Sequence, residues 1–218
     1  MTEAQLLIFA RMPQPGRVKT RLVPPLTERE AAAVYAASLK DVIACARRTG
    51  APLRILHDDA SGAEEYFARE FPDLEREPQS AGDLGHRLAA AFTNAFAAGA
   101  SAVVAIGSDA PTLPLSHLQE GLTATRKAGA ALGPADDGGY YLIGLRHDIW
   151  PAARELFLGI PWSTAQVFET TAQRAAAIGV EPRVLPPWYD IDRIEDLGLA
   201  RGDARPDSHL ARLLDRVG

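Results

Sequence analysis

The sequence is poor in the features that would mark a disulfide-bonded or membrane-spanning protein. It has one cysteine, Cys45, among 218 residues, so no internal disulfide can form and the chain fits a reducing cytoplasm. Cys45 lies in an alanine-rich stretch of helical character, where a free thiol is most often a small core residue. The N-terminal segment shows no cationic leader followed by a long apolar run and a cleavage site. Leu6 to Ala10 is apolar for only five residues, whereas a membrane-crossing helix needs roughly 20.

Positive charge is also scarce. Lys and Arg number 23 against 28 Asp and Glu, a formal net charge of -5. General nucleic-acid binding calls for a basic domain and is disfavoured; a small basic pocket for one phosphorylated ligand is not. Several familiar motifs are missing. No His/Cys cluster has zinc spacing, and no Gly-x-Ser-x-Gly elbow supports a standard α/β-hydrolase. No Gly-x-Gly-x-x-Gly follows the first apolar run. Gly16-Arg17-Val18-Lys19-Thr20 lacks the glycine that a P-loop places immediately before its lysine.

Hydrophobic residues at 47% and charged residues at 23% are ordinary for a globular chain. The length favours one domain over residues 1–218, with a substantial core. Gln5 to Ala10 reads as a strand covered on both faces, because its apolar run is nearly continuous. Thr27-Glu28-Arg29-Glu30 has the form of a capping box and opens a helix to about Arg48, ended by Gly50. Strands are expected over Pro52–His57, Ser101–Gly107, Ala130–Leu132, Tyr140–Leu145 and Val180–Leu185. Helices are expected over Ala60–Glu70, Leu84–Ala98, Leu115–Lys127 and, capped by Ser163, over Ser163–Ile178. In the second of these Leu84, Leu88, Phe92 and Phe96 share a face. Alternating strands and helices predict an α/β fold with a mostly parallel sheet. No repeat, low-complexity tract or dividing linker is evident.

Four constellations could carry chemistry. Arg11, Arg17, Lys19 and Arg21 fall within eleven residues, just after the first strand, where open α/β sheets bind ligands. Such a group suits an anion, with Arg gripping phosphate oxygens in pairs and Lys acting as a point charge; a solvated basic loop is the plainer alternative. Ile106-Gly107-Ser108-Asp109-Ala110-Pro111 sets a carboxylate at a strand end, as a hard-oxygen metal ligand or as a turn cap. Gly133 to Tyr141 contains Asp136-Asp137-Gly138-Gly139, which serves equally as a ligand-facing turn or an ordinary hairpin. In Asp190-Ile191-Asp192 the two carboxylates share a side if the segment is extended. They could complete a metal site begun by Asp109, or cap the next helix. Gly82-Asp83-Leu84-Gly85-His86-Arg87 places polar groups at a helix start, and Trp162-Ser163-Thr164 either lines an acceptor pocket or joins the core.

In this order the four segments resemble the nucleotide-diphospho-sugar transferase superfamily, whose GT-A fold is a three-layer α/β/α arrangement around a mostly parallel sheet. The resemblance runs from about Leu6 to Leu197. It extends to a bacterial group labelled glycosyltransferase and linked to arsenosugar biosynthesis. It also extends to phospholactate guanylyltransferases and, more distantly, to molybdenum-cofactor guanylyltransferases. It implies a cytoplasmic enzyme that uses Mg or Mn, a nucleotide or nucleotide sugar, and a small-molecule acceptor. It further implies that Arg11, Lys19 and Arg21 face phosphates, with Ala10, Gly16 and Ser108 at the nucleotide and Gly82, Asp83 and Arg87 near the base. Asp109 and Asp192, with Asp190 close by, would hold the metal. Gly138, Gly139, Tyr140 and Trp162 would shape the acceptor side, where Asp137 could deprotonate an acceptor hydroxyl. The acidic motif departs from a strict Asp-x-Asp, since Ser108-Asp109-Ala110 contains one Asp. Glycosyl transfer from a nucleotide sugar, nucleotidyl transfer with pyrophosphate release, and nucleotide binding without catalysis all remain open on this reading.

Overall fold

The computed structural model describes residues 4–217. Seven strands form one sheet in the order β3-β2-β1-β4-β6-β5-β7. They are β1 (Gln5–Ala10), β2 (Leu53–His57), β3 (Glu75–Pro78), β4 (Ala102–Ile106), β5 (Ala130–Pro134), β6 (Tyr140–Arg146) and β7 (Arg183–Val184). The helices are α1 (Glu28–Arg47), α2 (Ala63–Glu70), α3 (Leu84–Ala97), α4 (Leu115–Ala128), the short α5 (Trp150–Ala153), α6 (Val167–Ala177), α7 (Ile194–Asp203) and α8 (His209–Val217). Only β6 runs against its neighbours, antiparallel to both β4 and β5, so the sheet is mostly parallel as anticipated.

Alternation along β1 divides the core. Leu6, Ile8 and Ala10 face one side, with Leu39 and Ile43 of α1, Phe67 of α2 and Leu118 of α4. Leu7 and Phe9 face the other, with Leu88, Phe92 and Phe96 of α3, Trp150 of α5 and Phe168 of α6. The result is three layers, each sheet face covered by helices. Phe92 is fully buried and its ring meets those of Phe96, Trp150 and Phe157. A third, smaller core joins Leu22, Val34 of α1, Ile191, and Leu210 and Leu214 of α8. The buried Asp41 of α1 fixes α8 there by accepting from the backbone N–H groups of His209 and Leu210 at 2.9 and 2.8 Å.

The predicted capping box is present. Thr27 and Glu30 exchange hydrogen bonds, Glu30 N donating to Thr27 Oγ1 at 3.2 Å and Thr27 N to Glu30 Oε2 at 2.7 Å. Three boundaries lie three residues or more from the sequence pattern. The second helix starts at Ala63, because Gly62 is left-handed with φ 83°. Ser163 is no cap: it has φ 64°, and the helix starts only at Val167. The first turn of the helix is drawn onto the β5–β6 turn, with Phe168 N donating to Gly138 O at 2.8 Å. The closing strand shrinks to Arg183–Val184, since Pro182 has no N–H to offer a ladder. Periodicity also gives no sign of β3, whose sequence Glu-Arg-Glu-Pro is that of a charged sheet edge.

The chain builds β1, β2 and β3 outward in one direction, then returns to lay β4 on the opposite side of β1. That reversal opens a crevice at the carboxyl ends of β1 and β4, the position where such sheets bind ligands. The β5–β6 turn opens on the same edge, because β6 runs backwards.

Candidate active site

A cleft of about 910 Å³ occupies this crevice, large enough for a nucleotide-sized ligand. Its lining includes Ala10, Arg11, Arg17, Lys19 and Arg21 from the loop after β1, and Ser108 and Asp109 after β4. Asp137 and Tyr140 come from the β5–β6 turn, Asp190 and Asp192 from the segment before α7, Asp83 and Arg87 from the start of α3, and Trp162 from the loop before α6. Six segments far apart in sequence thus meet at one place.

At the centre is Lys19. Its ammonium touches Asp109 Oδ1 and lies 3.1 Å from Asp192 Oδ1; the lysine side chain is 4% exposed, against 43% and 40% for the two aspartates. Burial by itself would lower the lysine's pKa, but the charges of Asp109 and Asp192 outweigh it and hold the pKa above its ordinary value. The Lys19 backbone is left-handed, φ 49° and ψ 38°, a region that costs a non-glycine residue energy. Arg21 reaches Asp192 from the outside at 3.4 Å. Arg11 and Arg17 are exposed, and among the described residues neither guanidinium has a hydrogen-bond or ion-pair partner.

The closing motif is fixed by backbone rather than by its own carboxylates. Ile191 N donates to Asp109 O at 2.9 Å. Asp196 accepts from Asp192 N and Arg193 N at 2.8 and 2.6 Å. The helix-capping role considered for Asp190 or Asp192 therefore falls to Asp196, which leaves the other two facing the cleft. Asp190 is partly buried. Burial first, then the nearby charge of Asp109, push its carboxyl up to about 7.

Other expected positions divide between lining the cleft and shaping its walls. Asp137 lines it, with one oxygen accepting from Gly139 N at 2.8 Å. The 135–139 segment is a hairpin turn and a wall of the cleft at once. Gly138 is needed there because a Cβ would fall on the Ala165 backbone. Gly16, at φ 73°, and Gly82, at φ 107°, set loop shape from outside the cleft. Asp83 is an N-cap, accepting from His86 N at 2.9 Å. Arg87 is oriented by Gly82 O at 2.9 Å and Gln79 Oε1 at 3.3 Å. Trp162 joins the core around α3 and also lines the cleft, with its indole nitrogen buried and, among the described residues, unpartnered.

The sequence reading missed two supporting residues. Tyr35, inside α1, accepts from Arg11 N at 2.7 Å and shares a 2.7 Å hydrogen bond with Ser108 Oγ. It thereby ties the cationic loop to the acidic motif and takes up the Ser108 hydroxyl. Burial, followed by the Asp109 charge, raises its pKa well above normal, so it stays a neutral phenol. Gln79 donates to Ala10 O and Leu56 O at 3.2 and 2.8 Å, pinning the ends of β1 and β2. The only signal for Tyr35 was one aromatic hydroxyl in an otherwise alanine-rich helix face.

Among the described residues no three His, Cys, Asp or Glu side chains converge on one point. Asp109 and Asp192 do approach one shared cation. Two carboxylates suit Mg-like ions, which keep several waters and take further oxygens from substrate phosphates. The donor set thus fits such an ion bound together with a phosphorylated ligand.

Comparison with known proteins agrees with this geometry. No curated protein sequence matches the chain. A crystal structure from Desulfovibrio desulfuricans G20, provisionally named a nucleotide-diphospho-sugar transferase, is 34% identical. It superposes with a TM-score of 0.92 over 99% of this chain and 95% of that one. A nucleotidyl transferase from Methanothermobacter shares the fold at 14% identity, with a TM-score of 0.58 over 97% and 99% of the two chains. So does a manganese complex of Rv0371C from Mycobacterium tuberculosis H37Rv, at 16% identity and a TM-score of 0.52 over 98% of each chain. The family model described as "Uncharacterized protein conserved in bacteria (DUF2064)" matches residues 41–164, which include the acidic motif and the Asp137 turn. The chain therefore belongs to the DUF2064 family, built on the nucleotide-diphospho-sugar transferase fold.

Proposed function

We propose that this protein is a cytoplasmic transferase that uses a nucleotide-activated donor and a divalent cation, and that it moves a glycosyl group from a nucleotide sugar to a small-molecule acceptor. The observation that carries the reading is the juxtaposition of Lys19, Asp109 and Asp192 with unpaired Arg11 and Arg17 in one cleft. The name of the 34% identical Desulfovibrio protein points the same way.

In this reading the donor's phosphates lie along Arg11, Arg17, Lys19 and Arg21, which stabilise the charge that grows as the nucleoside diphosphate leaves. The half-exposed Leu84 and the oriented guanidinium of Arg87 face the base. The acceptor enters beside Tyr140 and Trp162. Asp137 takes its hydroxyl proton through the oxygen not engaged by Gly139. A Mg or Mn ion held by Asp109 and Asp192 would supply further charge neutralisation at the phosphates; manganese is bound by the Rv0371C neighbour. Removing one cation that acts only in the transition state costs about 3 kcal/mol, roughly a hundredfold in rate.

One observation favours a second reading. Two arginines without partners beside Lys19 and Arg21 exceed what a diphosphate leaving group requires. A nucleoside triphosphate attacked at its α-phosphate, with pyrophosphate leaving, would use them more fully.

The test is a thermal-shift panel in Mn comparing nucleotide sugars with nucleoside triphosphates. A ligand at 100 times its dissociation constant stabilises by about 2.7 kcal/mol. Stabilisation by a nucleotide sugar, with release of its nucleoside diphosphate, supports glycosyl transfer. Pyrophosphate release from a triphosphate supports the second reading. Failure of both classes to bind, with or without metal, rejects the donor assignment.

A further inference from the structure

We propose that the Lys19 ammonium is a resident stand-in for the divalent cation: it bridges Asp109 and Asp192 until an ion takes those carboxylates, and is then delivered to the phosphates of the donor. This rests on the metal- and nucleotide-using reading above, and adds to it that the cationic and acidic halves of the site are alternatives to one another.

The observations are geometric. Lys19 touches Asp109 and is 3.1 Å from Asp192, with its side chain 4% exposed. Arg21, two residues on, is 68% exposed and reaches only Asp192. The lysine is thus drawn into the position where both carboxylates can share one small cation. Arg11 and Arg17, in the same loop, stay outside it, and among the described residues their guanidinium groups have no partner. The backbone at Lys19 is left-handed, so the chain accepts an unfavourable conformation where the bridging lysine sits. Neither Asp109 nor Asp192 is buried; both stay open to the cleft while the ammonium between them is enclosed.

Charge arithmetic gives the consequence. Two carboxylates and one ammonium leave one negative charge at the centre. A divalent ion on the carboxylates cancels them and releases a positive charge on a flexible four-carbon stem, which can reach for a phosphate. A donor phosphate that attracts Lys19 likewise frees the carboxylates. Metal and donor should therefore assist each other's binding, a reciprocal coupling carried by one side chain. A lysine that only faced phosphates would leave metal affinity alone.

The experiment measures Mn binding by electron paramagnetic resonance on the full chain without nucleotide. Wild type is compared with Lys19→Gly, which fits the left-handed backbone, Lys19→Met, and the charge-retaining Lys19→Arg. Removing a unit charge from a partly screened site should tighten Mn binding about tenfold or more in the Gly and Met variants, and Lys19→Arg should not tighten it. Circular dichroism identifies any variant that does not fold; Lys19→Gly carries the test if Lys19→Met fails. Equal or weaker Mn binding by the folded neutral variants overturns the stand-in while leaving a metal site in place. No Mn uptake by any variant, wild type included, overturns both the stand-in and the metal-dependent reading.

Discussion

Replacing Asp190 with Asn should make the protein more stable at alkaline pH while weakening its hold on a divalent ion. Asp190 has its carboxyl raised from 3.8 to about 7, by burial first and by the charge of Asp109 second. In the unfolded chain the group returns to an ordinary value near 3.9. Between about pH 4 and pH 7 the folded protein therefore holds a proton that the unfolded chain has lost, so stability falls as pH rises through this window. Above pH 7 the penalty is complete. A shift of about three units corresponds to about 4 kcal/mol; partial solvent access reduces this to about 2–3 kcal/mol. Asn has the same shape and no charge, so Asp190→Asn should gain that amount at pH 8 and little at pH 4. Urea denaturation in a chelating buffer at pH 4.5, 6 and 8 measures the gain directly. With Mn in place of the chelator, the stability that wild type gains from the ion at pH 8 should shrink below pH 7, as the neighbouring Asp190 takes up its proton, while the variant's smaller gain should not change across that step. The reasoning is refuted if Asp190→Asn is no more stable than wild type at pH 8, or if its advantage is the same at all three pH values.

Three further outcomes follow from contacts in and around the cleft. Tyr35→Phe removes both hydrogen bonds that join Arg11 to Ser108 and should cost about 1–3 kcal/mol; donor affinity should fall too, which calorimetric titration would show. Gly138→Ala puts a methyl group against Ala165, so activity should drop at least tenfold while far-ultraviolet circular dichroism stays unchanged; full activity would mean that the Asp137 turn is not held in place by this contact. Phe92→Ala empties the aromatic centre beneath α3 and should cost about 3–5 kcal/mol, read as a lower denaturation midpoint with little change in slope.

The parts of this fold that could be read from sequence are those whose local pattern and final surroundings agree. β1, β4 and β6 are buried on both faces, and their continuous apolar runs say so. α1 carries its own start signal in Thr27 and Glu30. β3 is a charged edge strand with no apolar alternation, so it is invisible until β2 is there to pair with it. The start of α6 was misplaced because Ser163 has the chemistry of a cap but lies in a segment drawn onto Gly138. In the cleft, residue types at strand ends pointed to Lys19, Asp109, Asp137 and Asp192. They did not reveal that Lys19 and the two aspartates contact each other, since spacings of 90 and 83 residues (109 − 19 and 192 − 109) carry no local signal. Asp196, three residues after Arg193, was overlooked as the cap for the same reason that Asp190 and Asp192 were suspected: acidic residues crowd that segment, and only the backbone geometry separates their tasks.

The small third core has a dynamic consequence. Leu22 follows Lys19 by three residues, Ile191 lies between Asp190 and Asp192, and both rest on Leu210 and Leu214 of the last helix. The two segments that meet across the central ion pair are therefore floored by a cluster separate from the two cores that hold the sheet. Elements that share so small a core open together, at a lower free energy than the whole molecule unfolds. If the last helix lets go, which Asp41, the hydrogen bond from Arg201 to Leu214 O and the small core oppose, both site segments lose their floor while the strands stay paired. Backbone amides around residues 22, 191 and 210 should then exchange with solvent at one common rate, faster than those of β1 and β4. Loss of α8 from this cluster would be felt first as a slackening of the cleft.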